Sequence, residues 1–272
     1  MSGAGAGAAP AQYGVKLGSM LFTMVEPHRG HEVEYNRWYE RDHFYAGCLI
    51  GANCFAGARW VATRDLKALR YPDPSPIAAS PDVGSFLSLY YILDGKRQEW
   101  RAWGADQVFR LEEQGRMFKA RDHVHTLHYV YRWGAFRDAD GVPAELALDH
   151  RFPGLAVVIG ERAPGVSAME IEQWYRGKHL PQALPGTPAA MCLAFEGEPT
   201  MAKTPSNVPP PEGVEDRFLL MFFLDTDPRE CWDPLFAKHG EELAASGLGS
   251  VIYASPFIPT VPGTDTYLDE LW

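Results

Sequence analysis

A ten-residue pattern occurs twice in this chain and restricts its possible folds more than any other feature. Residues 34–43 and 170–179 both read Glu-x3-Trp-Tyr-x3-His. Each copy follows an apolar, strand-like run, which spans residues 20–25 in the first case and 156–159 in the second. A pattern that returns together with its context indicates an internal duplication. The chain should therefore consist of two similar halves.

The predicted elements follow the same order in both halves. In the first half, apolar and alternating runs predict strands at 17–25, 54–62, 86–93 and 123–136, with helices at 31–47 and 97–119. In the second half the strands are 155–161, 190–195, 218–224 and 250–257, and the helices are 167–179 and 229–246. Ser167 and Glu170 form a capping-box signature at one helix start. Each half thus reads βαββαβ.

A βαββαβ unit is ferredoxin-like, with both helices on one face of a four-stranded antiparallel sheet and the other face uncovered. Two such units in one chain can cover each other by packing these bare faces together. The sequence therefore predicts an α+β fold in which two ferredoxin-like βαββαβ repeats form an intrachain pseudo-dimeric α+β barrel.

The division of the chain follows from this order. We expect a disordered tail at 1–14, the first ferredoxin-like repeat at 15–136, a connector at 137–152, the second repeat at 153–258 and a tail at 259–272. The last segment ends in Tyr267, Leu268, Leu271 and Trp272, so it should dock on the body. Two proline-rich loops, at 63–84 and 199–216, join corresponding strands, and at least one should cover a pocket mouth.

Composition narrows the possible partners. The net charge is −10 and no Lys/Arg-rich run is present, so neither nucleic acid nor a membrane surface is an expected partner. With 46% hydrophobic and 12% aromatic residues, the chain suits a small hydrophobic or aromatic substrate. It has no signal-peptide pattern and no membrane-length apolar run, and its four cysteines form no C-x-x-C pair, which predicts a cytoplasmic protein with reduced thiols. We expect a monomer or homodimer.

The repeated pattern presents an indole, a phenol and an imidazole twice. On an α-helix, Tyr39 shares a face with His43, and Tyr175 shares one with His179, while Trp38 and Trp174 point about a quarter turn away. His43 can act as a general acid or base oriented by Tyr39, and Trp38, Trp174, Tyr175 and His179 can contact a substrate. The alternative is that both histidines only fix the fold at a helix end.

A second group of histidines lies on the last strand of the first half. Strand alternation places His123 and His125 on one face and His128 with Arg132 on the other. His128 and Arg132 could hold a carboxylate, phenolate or enolate, although they could equally be a polar strand face. A metal site would need a third ligand beside His123 and His125, and the spacing supplies none. The remaining histidines, His28, His31, His150 and His239, are predicted in turns or on helix surfaces.

The motif residues resemble the dimeric α+β barrel proteins, in particular the EthD-like branch, over about residues 17–257. The matching positions are Tyr35, Asn36, Arg37, Trp38, Tyr39 and His43 in the first copy, and Trp174, Tyr175, His179, Leu180 and Pro181 in the second. The resemblance implies the barrel fold. It implies no single activity, because the superfamily includes cofactor-free monooxygenases, lactone isomerases, polyketide cyclases, decarboxylases and haem enzymes.

These observations lead to a functional hypothesis. The sequence has no nucleotide-binding glycine motif and no serine nucleophile elbow, so no organic cofactor is expected. The main hypothesis is a cofactor-independent lyase or isomerase, of dehydratase, decarboxylase or cyclase type, acting on a small aromatic or polyketide-like substrate by histidine acid/base chemistry. The alternatives are a cofactor-free monooxygenase of a phenolic substrate, a non-catalytic binder of apolar small molecules, and a haem protein.

The two copies of the motif should have diverged in role. The first copy shares its half with His128 and Arg132, whereas the final strand of the second half has neither histidine nor arginine. We therefore predict that His43 moves a proton while Arg132 or His128 holds the developing anion. His179 is then the structural counterpart.

Overall fold

Residues 14–198 and 213–272 are described by a computed structural model. Within them, eight strands close into a barrel in the order β1-β3-β2-β8-β5-β7-β6-β4. The strands are β1 Leu17–Pro27, β2 Cys54–Val61, β3 Phe86–Leu93, β4 Arg121–Phe136, β5 Gly154–Arg162, β6 Ala189–Gly197, β7 Arg217–Leu224 and β8 Gly249–Pro259. Strands β1 to β4 form one ferredoxin-like sheet and β5 to β8 the other, so the predicted fold class is confirmed.

The helices lie on the outside of the barrel. They are α1 Glu32–Trp38, α2 Arg64–Lys67, α3 Arg97–Glu113, α4 Ala168–Trp174, α5 Leu180–Ala183, α6 Pro228–Leu235 and α7 His239–Ala245. The capping box at the start of α4 is present, with the Ser167 Oγ accepting from the Glu170 N–H at 3.3 Å. The single helix predicted at 229–246 is wrong, because Pro234 lacks an N–H for the helical ladder and α6 ends one residue later.

The barrel interior is filled by every second residue of each strand. Phe22 of β1 lies beside Leu89 of β3 and Leu127 of β4, and Val157 of β5 lies beside Met221 of β7. All five are buried in one apolar cluster. The bare faces of the two sheets therefore cover each other, as the sequence predicted, and side chains fill the space between them.

The two junctions between the half-barrels differ in length. Strand β4 runs along β6 over residues 129–136, whereas β2 and β8 pair only at Trp60 and Val61. Because β2 pairs with β8 at only two residues, much of this edge of β8 is not covered by β2. The loop at 63–84 lies against that part of the edge. There Tyr71 bridges to Ala254, and the Arg70 guanidinium donates to Ser255 Oγ at 2.8 Å. This loop is therefore tied to the barrel, while most of the second proline-rich loop lies outside the described residues.

The C-terminal segment lies on the first half. Leu268 and Leu271 are buried, and the Trp272 Nε1–H donates to Glu26 Oε1 at 3.1 Å. The buried Lys67 ammonium donates to the Leu271 carbonyl at 2.9 Å. Among the described residues, no helix is long and apolar enough to cross a membrane.

Candidate functional site

In both halves the repeated pattern lies where an α-helix widens into a π-helix. The π-helices span Tyr39–Leu49 after α1 and Tyr175–His179 after α4. Because a π-helix bonds residue i to i+5, residues five apart lie about one turn above each other. Trp38 is accordingly stacked on His43, with ring centroids 4.6 Å apart and an interplanar angle of 19°. The predicted quarter-turn offset of the tryptophan is wrong, since it assumed an α-helix.

The second half repeats this stack. Trp174 lies on His179 with centroids 5.1 Å apart at 17°. The tyrosines approach the imidazoles edge-on in both copies, at 5.4 Å for Tyr39 and 5.5 Å for Tyr175. The prediction that tyrosine and histidine share a face is thus confirmed. We call the two sets of rings the first triad, Trp38–Tyr39–His43, and the second triad, Trp174–Tyr175–His179.

His43 of the first triad is held neutral. Its pKa is lowered to about 3, mainly by burial and in smaller part by the neighbouring Arg121 and His123, against the opposing effect of Asp42. Its Nδ1 is buried and has no hydrogen-bond partner among the described residues. An unpaired buried polar atom costs about 1–3 kcal/mol, which a ligand that bonds it would recover. His43 therefore has a ring nitrogen that no described residue bonds.

Arg121 is the cation beside this imidazole. Its guanidinium lies over the Trp38 ring, 4.8 Å from the centroid, and the residue is 6% exposed. The other two buried arginines are paired, Arg59 with Asn36 and Arg70 with Ser255. Within the described part of the chain, the Arg121 side chain has no hydrogen bond or ion pair. A guanidinium whose donors are not used by the described residues can pair with an incoming anion.

The phenols around the first triad stay protonated. Burial raises the pKa of Tyr39 to about 12, and its hydroxyl lies 3.0 Å from the Tyr90 hydroxyl. Burial also raises the pKa of Tyr35 and Tyr90. The Tyr35 hydroxyl has no partner among the described residues. These groups can donate a hydrogen bond to a substrate oxygen but cannot act as bases near neutral pH.

In the second triad the histidine and the tyrosine have polar partners, whereas the Trp174 Nε1 is buried without a partner among the described residues. Glu242 Oε2 lies 3.1 Å from His179 Nδ1, and the Tyr175 hydroxyl lies 2.8 Å from His239 Nε2. The rings of His179 and His239 are 4.6 Å apart. Burial lowers the pKa of both imidazoles, to about 3 for His239, while Glu242 raises that of His179 in part.

His239 was predicted on a helix surface, and this is wrong. It is 1% exposed, and Leu243, four residues later on α7, is fully buried. Residues four apart on a helix share a face, so the spacing of His239 to Leu243 was the available signal.

The histidines of β4 are separated by a bulge. Strand β1 aligns Met24 with His125 but Val25 with His123, so Val124 is an extra residue. His123 therefore faces outward near His43, whereas His125 faces the barrel interior and bonds the Tyr129 hydroxyl at 2.8 Å. The prediction that the two histidines share a face is wrong. The described residues contain no group of three or more His, Cys, Asp or Glu placed to hold a metal.

His128 and Arg132 lie in different surroundings from His43. His128 packs edge-on against Trp100 of α3 at 5.5 Å, and burial lowers its pKa to about 3. Arg132, at a second bulge of β4, bonds Glu196 through both Nε and Nη2, at 2.8 and 2.7 Å. The cation that the structure brings to His43 is Arg121, because β4 begins beside the end of β1 at Pro27.

Comparisons with known proteins add the fold class. No protein-family model matches the chain, and a search of curated proteins gives no match. An anthrone oxidase-like protein is similar in structure, with 10% identity and a TM-score of 0.51, covering 90% of this chain and 92% of that one. A protein assigned as a chlorite dismutase has 8% identity and a TM-score of 0.53, covering 94% and 100%. At such identities the likeness shows the fold alone, an α+β barrel built from two ferredoxin-like sheets.

Proposed function

We propose that the first triad and Arg121 form a cofactor-independent acid/base site for a small aromatic or polyketide-like substrate, of lyase or isomerase type. One observation supports this proposal: a neutral imidazole and a buried guanidinium lie close together. Among the described residues, neither the imidazole Nδ1 nor the guanidinium has a hydrogen-bond partner. A base and an anion-binding cation are the two groups needed to make and hold an oxyanion.

The proton transfer would run as follows. His43 Nδ1 takes a proton from a phenol O–H, or from a C–H next to a carbonyl, and the electron pair ends on the substrate oxygen beside Arg121. When the Arg121 guanidinium pairs with that oxyanion, it repels the new imidazolium less. The pKa of His43 therefore rises as the anion forms. Return of the proton to another carbon gives an isomerase, and loss of a leaving group gives a lyase.

A cofactor-free monooxygenase is the second candidate, and the aromatic surroundings of the site favour it. The Trp38 ring is stacked with His43 and also with Phe118, whose centroid is 5.7 Å away at 28°. An electron-rich aromatic anion held there could react with dioxygen. For an anthrone, one dioxygen would oxidise the ring methylene to a carbonyl and release one water. The anthrone oxidase-like neighbour makes an anthrone a reasonable first probe.

Haem is a poorer fit to the described residues around the two imidazoles. His179 is covered by Trp174 on one side and His239 on another, and its Nδ1 is held by Glu242. His43 lies against Trp38 and so close to Gly47 that an added Cβ would be 2.6 Å from its Cε1. Neither ring has space beside it for a macrocycle.

The proposal is tested by deuterium exchange into anthrone under anaerobic conditions, followed by NMR. Exchange at the ring methylene reports proton abstraction whatever reaction follows. We expect the protein to accelerate exchange, and His43→Gln to lower the rate by about two to four orders of magnitude, the usual scale for a lost general base. His179→Gln is the matched control and should change the rate less than about threefold.

Admitting air then separates the two candidates. Stoichiometric oxygen uptake and anthraquinone formation would support the monooxygenase, whereas turnover of an acidic carbon or phenol substrate without uptake would support a lyase or isomerase. Loss of exchange in folded His179→Gln but not in His43→Gln would contradict the assignment of the base.

A further inference from the structure

The last strand of each half contains a bulge, and the two bulges put the outer faces of the two sheets into register. The extra residue is Val124 in β4 and Ile252 in β8. The residue before each bulge faces the outer helices. It is His123 in the first half and Val251 in the second. An apolar side chain therefore occupies the second half where the first has an imidazole.

Two further outward-facing positions differ in the same way. Two residues after the bulge, β4 has Thr126, whose cross-strand partner in β1 is Thr23. The equivalent pair in the second half is Ala254 of β8 with Val158 of β5. The second half thus forms the same sheet and the same bulge with apolar side chains at all three places. The fold alone does not require the polar set of the first half.

The three polar side chains of the first half are joined to one another. Thr126 Oγ1 lies 2.8 Å from His123 Nδ1 and 2.9 Å from Thr23 Oγ1. A threonine hydroxyl has one proton to donate. If Thr126 donates that proton to His123 Nδ1, its oxygen can accept from the Thr23 hydroxyl. His123 then carries its own proton on Nε2.

The protonation state of His123 gives this direction a chemical consequence. Its pKa is lowered to about 4, mainly by burial and in smaller part by Arg121, against the opposing effect of Asp122. Near neutral pH the ring is therefore uncharged and has a single N–H, on either Nδ1 or Nε2. The direction of the threonine hydrogen bonds decides which nitrogen holds the proton.

His123 lies beside the two groups of the proposed site. Arg121 is two residues earlier on the same outward face of β4, about 7 Å away along the strand. His43 is close enough for His123 to lower its pKa. The two nitrogens of an imidazole face in roughly opposite directions, so Nε2 points away from Thr126. Among the described residues, Nε2 has no hydrogen-bond partner.

We propose that His123 is a second imidazole of the site, and that Thr126, supported by Thr23, holds it in the tautomer with the proton on Nε2. From Nε2 it donates a hydrogen bond to the substrate oxygen that becomes the oxyanion beside Arg121. The two imidazoles then have complementary roles, because His43 takes a proton while His123 keeps its own. The inference rests on the proposed function for the identity of that oxygen, whereas the tautomer is a property of the protein without substrate.

The tautomer is measured by NMR of the ring nitrogens in protein with isotope-labelled histidine. We expect the N–H of His123 on Nε2, and a bare Nδ1 that accepts a hydrogen bond. Thr126→Val removes the donor and keeps the shape, so the Nδ1 signal should move toward that of an unbonded imidazole nitrogen. Thr126→Ser should restore it. A proton on Nδ1 in the unaltered chain, or unmoved ring signals in folded Thr126→Val, would overturn the proposal.

Anthrone exchange then tests the role of this tautomer in turnover. Thr126→Val should lower the rate at saturating anthrone about tenfold with little change in KM, because the lost support acts on the oxyanion rather than on the bound substrate. Thr126→Ser should stay within about threefold of the unaltered chain. Thr187→Val is the matched control. It removes a hydroxyl that donates to the Ala183 and Leu184 carbonyls in the second half, so it can lower stability but should leave the rate unchanged.

Binding of 4-nitrophenol separates this inference from the proposed function. Its ionisation is visible in its absorbance, so binding of the phenolate can be followed without turnover. We expect the bound phenolate to move the His123 Nε2–H signal downfield. His123→Val, which copies the second half, should weaken phenolate binding about tenfold, the scale of a lost bond to a charged group.

The two proposals can fail separately. If the phenolate moves the His123 signal but the unaltered protein does not accelerate anthrone exchange, the proposed function fails and His123 remains an oxyanion donor. If exchange depends on His43 but is unchanged in Thr126→Val, or if the phenolate leaves the His123 signal unmoved, the inference fails and the proposed function stands.

Discussion

The two halves carry the same three rings in nearly the same arrangement, yet almost every polar atom around them differs. In the first triad His43 Nδ1 has no partner among the described residues, and Arg121 lies close by. In the second, His179 is bonded to Glu242 and Tyr175 to His239. The stack of indole on imidazole is thus common to both halves, whereas the availability of the imidazole is not.

This difference separates the structural role of the motif from its chemical role. Stacking across one π-turn packs three aromatic rings together beside the sheet in both halves. Reactivity needs an available nitrogen and a nearby charge, and these come from other elements. The residues between the first helix and the sheet differ as well, because the first half has Tyr35 and Arg59 where the second has Ile171 and Ala194, and all four are buried.

The largest expected effect comes from the residue that fills the first half. Arg59 lies 3.1 Å from Glu40, and the two side chains are 4% and 11% exposed. Arg59→Met would leave the carboxylate buried without its partner, and breaking a buried pair typically costs about 3–5 kcal/mol. Urea unfolding should show this loss in free energy of unfolding.

The double variant Arg59→Met with Glu40→Gln is the control. It removes both charges, so it should recover a large part of the lost stability, since apolar replacement of a buried pair is often nearly neutral. A loss below about 1 kcal/mol in the single variant would mean that Glu40 reaches solvent, and the contrast between a charged pair in the first half and apolar residues in the second would weaken.

Much of the fold could be predicted from the sequence, because a duplicated motif and matching element order leave few arrangements for two bare sheets. The site could be predicted only in part. The motif identified the tyrosine and histidine, but the tryptophan stack depends on i+5 bonding that the α-helical period does not contain. The bulge at Val124 places His123 and His125 on opposite faces of β4. The alternation of the sequence does not reveal this bulge.

Arg121 was missed for a different reason. It lies 78 residues after His43 in the sequence, and only the pairing of β1 with β4 brings the two together. The sequence around Arg121 contains no signal that an arginine at the start of a strand is buried. The same holds for Arg59, which becomes a counterpart of Ala194 only when both registers are known.

A smaller effect is expected from paired glycine substitutions in the two π-helices. A Cβ added at Gly47 would lie 2.6 Å from His43 Cε1, whereas one at Gly177 meets nothing within 4 Å. Gly47→Ala should therefore push the imidazole off Trp38 and destabilise by about 1–3 kcal/mol, the usual cost of overpacking. Gly177→Ala, at an exposed helical position, should stabilise by under about 1 kcal/mol.

Thermal unfolding and anthrone exchange together check this pair. Gly47→Ala should lose exchange activity as well as stability, because it displaces the base. Equal, small effects at both glycines would contradict the close contact of His43 with the π-helix backbone and remove one difference between the halves.

The smallest effect is expected at Glu242, whose carboxylate contacts His179 Nδ1 in the second triad. Among the described residues, no carboxylate bonds His43 Nδ1 in the first. The folded pKa of His179 is below its unfolded value because burial outweighs the attraction of Glu242. Between the folded and unfolded pKa values the unfolded chain binds more protons, so His179 contributes stability at neutral pH that is lost as the pH falls. Glu242→Gln should lower the folded pKa further and steepen that loss.

Because the Glu242 side chain is 56% exposed, solvent screening should keep the extra loss below about 1 kcal/mol between pH 8 and 5.5. Glu241→Gln, at the exposed neighbour on α7, is the control and should not change the slope. Urea unfolding at both pH values, with NMR titration of the His179 ring, measures the two quantities independently. A rise in the pKa of His179 in Glu242→Gln would show that the carboxylate does not favour the imidazolium. His179 would then be held less firmly than its distance of 3.1 Å to Glu242 indicates.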